Sequence, residues 1–204
     1  AGGLMQSKLI LDTGDIQLLQ GDAAHLDMVE SDSVDVFVLS APYNKGKMAM
    51  NNWQVKWYDG ISDDMPQDEY EQQQVEVLNE LYRVAKDGAS LAYIHKVQTK
   101  DWKMKHPMLW IVRSKWNPIQ EIIWNRQTTN QMDEARFWDN TERVYWLAKG
   151  KPKYFNPKCD SLRTIWDIQF KPNEKVKHPA PFPLTLPYRC IESFSREGEL
   201  VLDC

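Results

Sequence analysis

A chain of 204 residues, 42% hydrophobic and 26% charged, is long enough to bury a core as one domain and has the balance of an ordinary globular protein. Its three cysteines, Cys159, Cys190 and Cys204, have no CxxC spacing, which excludes a disulfide framework and a structural zinc site and suits a reducing cytoplasm. No apolar run approaches the roughly 20 residues of a membrane helix, and the bland Ala1-Gly2-Gly3-Leu4 before Met5 is too short for a signal peptide. The net charge of −4 hides an asymmetry: residues 1–95 carry 6 Lys and Arg against 16 Asp and Glu, and residues 96–204 carry 19 against 13. A polyanion-facing second half and a chance segregation of solvated charges both fit that division.

In chain order, Leu9 to Leu11 and Ile16 to Leu19 read as two short strands around the turn Asp12-Thr13-Gly14-Asp15. Gly21-Asp22 breaks that pattern, and Ala23 to Val29 suggests a short helix. Asp22 has two readings of equal weight: a carboxylate at a sheet edge, able to accept from an amino group or a ribose hydroxyl, or a helix cap. Val34 to Leu39 is a buried strand that stops at Ser40-Ala41-Pro42-Tyr43. Proline has no N–H to extend a ladder, so the strand ends in a hydroxyl, free carbonyls and a flat ring. In open α/β sheets ligands bind beyond that edge.

The long aperiodic stretch from Asn44 to Trp53 reads as a functional or mobile loop. A helix follows from about Gln67 to Ala85, with Tyr70, Gln74, Val77, Leu78, Leu81, Tyr82 and Ala85 on one face. Asp68, Glu69 and Glu71 crowd its positive end, Asp87-Gly88 supplies a stop, and Ser90 to Ile94 is the next strand. Strand, helix and strand in this order make a βαβ unit and a largely parallel sheet.

Lys100 to Lys115 mixes basic and aromatic residues, and Glu121 to Asn125 reads as a strand. The polar stretch from Asn125 to Asn140 suits hydrogen bonding to bases and phosphates, and suits a solvated excursion as well. Arg143 to Ala148 is a further strand. Between residues 143 and 177 nine basic residues face three acidic ones, with Tyr154, Phe155, Trp166 and Phe170 interleaved, a pattern that suits a nucleic-acid backbone and stacked bases. The alternating prolines of His178-Pro179-Ala180-Pro181-Phe182-Pro183 make a stiff extended segment. A helix from about Leu186 to Ser195 follows, placing Cys190 in the core. Glu199 to Asp203 then begins a strand that ends in a carboxylate, and a chain stopping there reads as a fragment.

Four of these stretches together resemble the permuted, beta-class DNA amino-methyltransferases that use S-adenosylmethionine. The residues that carry the resemblance are Gly21-Asp22, then Ser40-Ala41-Pro42-Tyr43 in place of an (Asp/Asn/Ser)-Pro-Pro-(Tyr/Phe/Trp) motif, Arg83 to Gly88 before a strand, and His178 to Ser195. A Val-Leu-Asp strand at Val201 to Asp203 stands where the family continues into a Phe-x-Gly-x-Gly cofactor loop. Ala41 departs from the motif's first proline.

The resemblance implies an α/β, Rossmann-like methyltransferase fold with a mostly parallel sheet and flanking helices, circularly permuted and incomplete at its C-terminus. It implies one domain over residues 1–204, with an inserted target-recognition region at about 98–177. It also implies catalysis at Ser40, Ala41, Pro42 and Tyr43, with the methyl donor against Asp22, His178, Pro179, Ala180, Phe182 and Asp203 and no metal. The substrate is then double-stranded DNA whose base leaves the helix to reach Tyr43. The serine form of the motif leans towards cytosine-N4 over adenine-N6. A homodimer and a restriction endonuclease are partners the resemblance admits. Two other readings remain open: a non-catalytic or split DNA-binding module needing a second chain for its cofactor, and a methyltransferase of RNA or a small amine.

Overall fold

The computed structural model describes residues 7–44, 64–129, 132, 134–169 and 181–204. In chain order these form β1 (Lys8–Asp12), β2 (Gln17–Gln20), β3 (Val34–Ser40), α1 (Gln67–Val84), β4 (Ala85–His95), β5 (Gln98–Lys100) and β6 (Lys103–Lys105). α2 (Met108–Ile111), β7 (Asn117–Asn125), β8 (Thr141–Ala148), β9 (Ile165–Asp167), α3 (Thr185–Phe194) and β10 (Val201–Leu202) complete them.

Six strands form one sheet in the order β10-β3-β4-β8-β7-β9. Pairing is parallel at β10/β3, β3/β4 and β7/β9, and antiparallel on both sides of β8. The α/β architecture is the one expected, with the parallel part confined to β10-β3-β4 and to the edge pair. The stretch 98–177 gives β7, β8 and β9 to this sheet in addition to the loops between them.

Each face of the sheet is covered by its own helix. On one face α1 buries Tyr70, Gln74, Val75, Val77, Leu78, Leu81 and Val84 against Phe37, Leu39, Leu91, Tyr93 and Leu147. On the other, Leu186, Cys190 and Phe194 of α3 meet Val36, Val38, Ala92, Ile94 and Val144. Residues alternating along β3 serve the two faces, as the two-residue period of a strand requires. Each fully buried Leu, Ile or Phe adds about 1.5–3 kcal/mol. The polar groups within the first layer are satisfied in a chain: Trp110 Nε1 donates to Tyr93 Oη (3.0 Å), and Tyr93 Oη donates to Gln74 Oε1 (2.8 Å).

Three local expectations are corrected. The strands around Asp12–Asp15 pair only with each other, as a β1/β2 hairpin outside the six-stranded sheet. Residues 23–29 form turns and no helix: Asp22 accepts from the backbone N–H groups of Ala24 (2.9 Å) and His25 (2.8 Å), and Glu80 takes the Leu26 N–H (2.9 Å). Seven residues offer little to offset helix nucleation, and the bonds from α1 to Leu26 hold the segment by another route. The helix ends at Val84, before Asp87-Gly88, and Ala85 is already extended. Gly88 instead forms a bulge in β4, at φ +79°, where a Cβ would lie 2.7 Å from Lys153 Cβ.

The edge strand β10 is held through Asp35. Its carboxylate takes Lys86 Nζ at 2.7 Å and the Leu200 N–H at 3.1 Å. Burial pushes the Asp35 carboxyl up, but these two hydrogen bonds more than offset it and hold the group below its ordinary value. A depressed carboxyl stabilises the fold above the unfolded value near 4, and that contribution is lost as pH falls through the folded value. Asp35→Asn is therefore expected to lower the unfolding free energy at neutral pH by about 1–3 kcal/mol. In urea titrations the gap from wild type should close below about pH 4.

Candidate active site

All six strands of the sheet put an end at one edge. β10, β3 and β4 arrive there by their carboxyl ends. β8 runs the other way, so it begins there, and β7 and β9 again finish there. Ser40 is the last residue of β3, opposite Ile94, and the next β4 residue, His95, pairs with Arg143 of β8. Glu142 stands one position earlier in β8, opposite Trp124 of β7. An antiparallel strand is what brings a carboxylate from the far part of the chain to the end of β3.

The turn after β3 is fixed by hydrogen bonds on every side. Tyr43 Oη donates to Glu142 Oε2 at 2.8 Å and lies 3.4 Å from Ser40 Oγ. Arg126 donates to the other oxygen, Glu142 Oε1, at 2.9 Å. Burial, followed by the charge of Glu142, pushes the Tyr43 hydroxyl well above its ordinary value, so it stays protonated and donates. With its proton given to Glu142, Tyr43 can accept from Ser40, whose lone pairs then face outward along the edge. Both partners of Glu142 are donors, and a carboxylate with two charge-assisted hydrogen bonds remains ionised at low cost.

Beneath this lies a second knot. Tyr70 of α1 sends its hydroxyl to the Pro42 carbonyl (2.7 Å) and to His95 Nε2 (2.6 Å), while His95 Nδ1 meets the Lys96 carbonyl at 2.8 Å. One Tyr70 proton serves two acceptors, and the proton carried by His95 decides which receives it. The Tyr43 ring packs on His95 at 4.6 Å between centroids. Gln98 donates to the Tyr43 carbonyl. Asn44, at φ 54°, exchanges hydrogen bonds with the backbone of Met65 (2.7 and 3.0 Å), which ties the turn to the start of α1. Lys96, almost fully buried, pairs with Asp139 at 3.2 Å.

The structure thus brings Ser40, Ala41, Pro42 and Tyr43 together with Glu142, Arg126, Tyr70, His95, Asn44 and Gln98. None of those six was read as a site residue in the sequence. Tyr70 is legible there only as a core position of the helix, and Glu142 only as the polar start of an apolar strand. Asp203 follows β10 beside β3, and desolvation raises its carboxyl above the ordinary value. Phe182 packs against the α3 side of the core. Asp22 uses one carboxylate oxygen to cap its own turn and follows the separate hairpin. His178, Pro179 and Ala180 lie outside the described residues.

A sheet with a helix on each face, whose β3 is followed through α1 by β4 on one side and bordered by β10 on the other, is a doubly wound α/β fold. Its ligand crevice lies at the strand ends where the order reverses, here beyond Ser40 and Asp203. A family model described as DNA methylase, for N6 and N4 methyltransferases, matches residues 34–204, and the chain belongs to that family. Among curated proteins it is 22% identical over 219 residues to the DNA adenine methyltransferase YhdJ of Escherichia coli strain K12, covering 91% of this chain. The chain spans 69% and 59% of the lengths of two curated relatives that it matches. Among solved structures, the PvuII DNA methyltransferase (cytosine-N4-specific) superposes with a TM-score of 0.68 at 14% identity, over 90% of this chain and 71% of that one. A DNA modification methylase of Thermus thermophilus, TTHA0409 complexed with S-adenosyl-L-methionine, gives 0.59 at 21% identity over 90% and 77%.

Glu142→Ala strips a partner from both Tyr43 and Arg126. It is expected to lower stability by about 2 kcal/mol, read as a fall in the chemical-denaturation midpoint. Glu142→Gln, which keeps an acceptor for Tyr43, should lose less.

Proposed function

We propose that this protein methylates the exocyclic amine of a base flipped out of double-stranded DNA, cytosine-N4 in preference to adenine-N6, with S-adenosylmethionine as donor. The observation that carries the reading is the run Ser40–Tyr43–Glu142 at the carboxyl edge of β3. An exocyclic amine is a weak nucleophile because its lone pair is conjugated into the ring. Acceptors aimed at its N–H groups favour the pyramidal nitrogen as positive charge develops on it, a case of electrostatic preorganisation.

Ser40 Oγ is one such acceptor. Its own proton is directed to Tyr43, whose proton is directed to Glu142, so the carboxylate polarises Ser40 through one intervening hydroxyl. A neutral serine thereby gains acceptor strength without placing a full charge against the base. The Pro42 carbonyl is already engaged by Tyr70, so we assign the second acceptor to the Ala41 carbonyl. Tyr43, locked at its hydroxyl and against His95, offers its ring to the base with no rotamer to freeze.

The donor set at the neighbouring edge fits the cofactor in its chemistry. Asp203 offers a carboxylate suited to hydroxyl or amino groups, and Phe182 an apolar wall. S-adenosylmethionine would supply there a methyl group on a sulfonium. The rest of 178–183 belongs to the same wall in this reading, and Asp22 keeps one carboxylate oxygen for a ligand. The basic, aromatic stretches between β8 and α3 and the polar 125–140 segment form the DNA-reading surface.

The test is transfer of label from radioactive S-adenosylmethionine to duplex DNA by the protein of the whole open reading frame, with tRNA as a parallel acceptor. Nucleoside analysis should find N4-methylcytosine. N6-methyladenine would overturn the base preference, and label in neither base of DNA would overturn the reading. Ser40→Ala should lower kcat about 100-fold. Glu142→Gln should lower kcat with KM for DNA unchanged, because it weakens an acceptor that matters only as charge develops.

A further inference from the structure

The β5/β6 hairpin stands apart from the six-stranded sheet as a two-stranded ribbon. Its register, Lys100↔Lys103 and Gln98↔Lys105, leaves a two-residue turn at Asp101-Trp102. Both turn residues have positive φ, 51° and 58°. That conformation is the one Asn-Gly or Asp-Gly adopts readily, and a bulky residue there is strained. Trp102 stands in the glycine position and is 79% exposed, so packing does not repay the strain.

The ribbon carries a second cost. The pleat puts Gln98, Lys100, Lys103 and Lys105 on one face, with Lys100 and Lys103 directly opposite each other. Like charges at that spacing destabilise a strand pair, and none of the three lysines forms an ion pair among the described residues. Three aligned cations and a strained, exposed indole are both unfavourable in the free protein. Both are relieved by one kind of partner, a polyanion with flat faces to stack on.

The ribbon's place names the substrate side. Gln98, on the lysine face, donates to the carbonyl of Tyr43, so the base of the ribbon is bonded to the Ser40–Tyr43 turn. Trp102 lies four residues further on, about 13 Å at the rise of an extended strand. A two-stranded ribbon is also an element that a DNA groove admits.

We infer that the β5/β6 ribbon is a DNA insertion element. Lys100, Lys103 and Lys105 bind phosphates beside the target, and Trp102 stacks on the base pairs left bare when the target base moves to Tyr43. This rests on the DNA reading above and adds to it the group that holds the gap open.

The experiment compares binding of the protein to labelled mixed-sequence duplexes, one intact and one with an abasic site, by fluorescence anisotropy across a salt series. Wild type should prefer the abasic duplex by about 5- to 100-fold, the range of one aromatic–base stack. Trp102→Gly suits the turn better than tryptophan does, so it should keep the fold and the binding of intact duplex and lose the preference. Trp102→Phe should retain part of it. Replacing all three lysines by glutamine should reduce the slope of log affinity against log salt by about 2–3. Equal wild-type affinity for the two duplexes, a preference that survives Trp102→Gly, or an unchanged salt slope overturns the insertion element and leaves the DNA reading standing. Binding to neither duplex overturns that reading and this inference together.

Discussion

The carboxylate of Glu142 is the constraint on which the site depends. It takes one hydrogen bond from Tyr43 and one from Arg126, and so joins the end of β3 to the start of β8 and the residue after β7. A turn containing a proline, which cannot pair in a ladder, would otherwise leave the edge with its ring free to rotate. The same two bonds set the protonation of the site. Tyr43 must keep its proton to serve Glu142, burial ensures that it does, and Ser40 is left as an acceptor facing the crevice.

Helix α1 supports this arrangement from below while acting as an ordinary amphipathic helix. The face that covers Phe37 and Leu91 also carries Tyr70, and one hydroxyl links the Pro42 carbonyl to His95. The Asn44–Met65 exchange fixes where the helix starts relative to the turn. At the other end, Arg83 and Glu80 bind the turns at Leu26, Val29 and Ser31, and Lys86 reaches Asp35. The stretch from Arg83 to Gly88 is thus structural: it anchors three neighbouring segments and turns the chain through the Gly88 bulge.

What could be read from the sequence is what depends on near neighbours. The strand at Val34 to Leu39, the 3.6-residue face of α1 and the end of β3 at Ser40-Ala41-Pro42-Tyr43 all follow from local pattern. The edge strand at Val201 follows from the same kind of signal. The partner of Tyr43 lies 99 residues away in an antiparallel strand, and no local pattern marks it. The segment at 23–29 misled for a related reason: its turn chemistry is local, but the bonds to Glu80 that hold it come from a distant helix. Trp102 is concealed by register, since only the pairing of Lys100 with Lys103 shows that a tryptophan occupies a glycine position.

The central claim is that the target base enters the crevice at the end of β3 and rests on Tyr43. Photo-crosslinking measures that contact directly: mixed-sequence duplex DNA carrying 5-iodocytosine is irradiated with the protein in the presence of S-adenosylhomocysteine, and cross-linked peptides are mapped by mass spectrometry. The account predicts a cross-link in the peptide containing Tyr43, lost in Tyr43→Ala. Cross-links confined to other peptides, with the Tyr43 peptide unmodified, would contradict it.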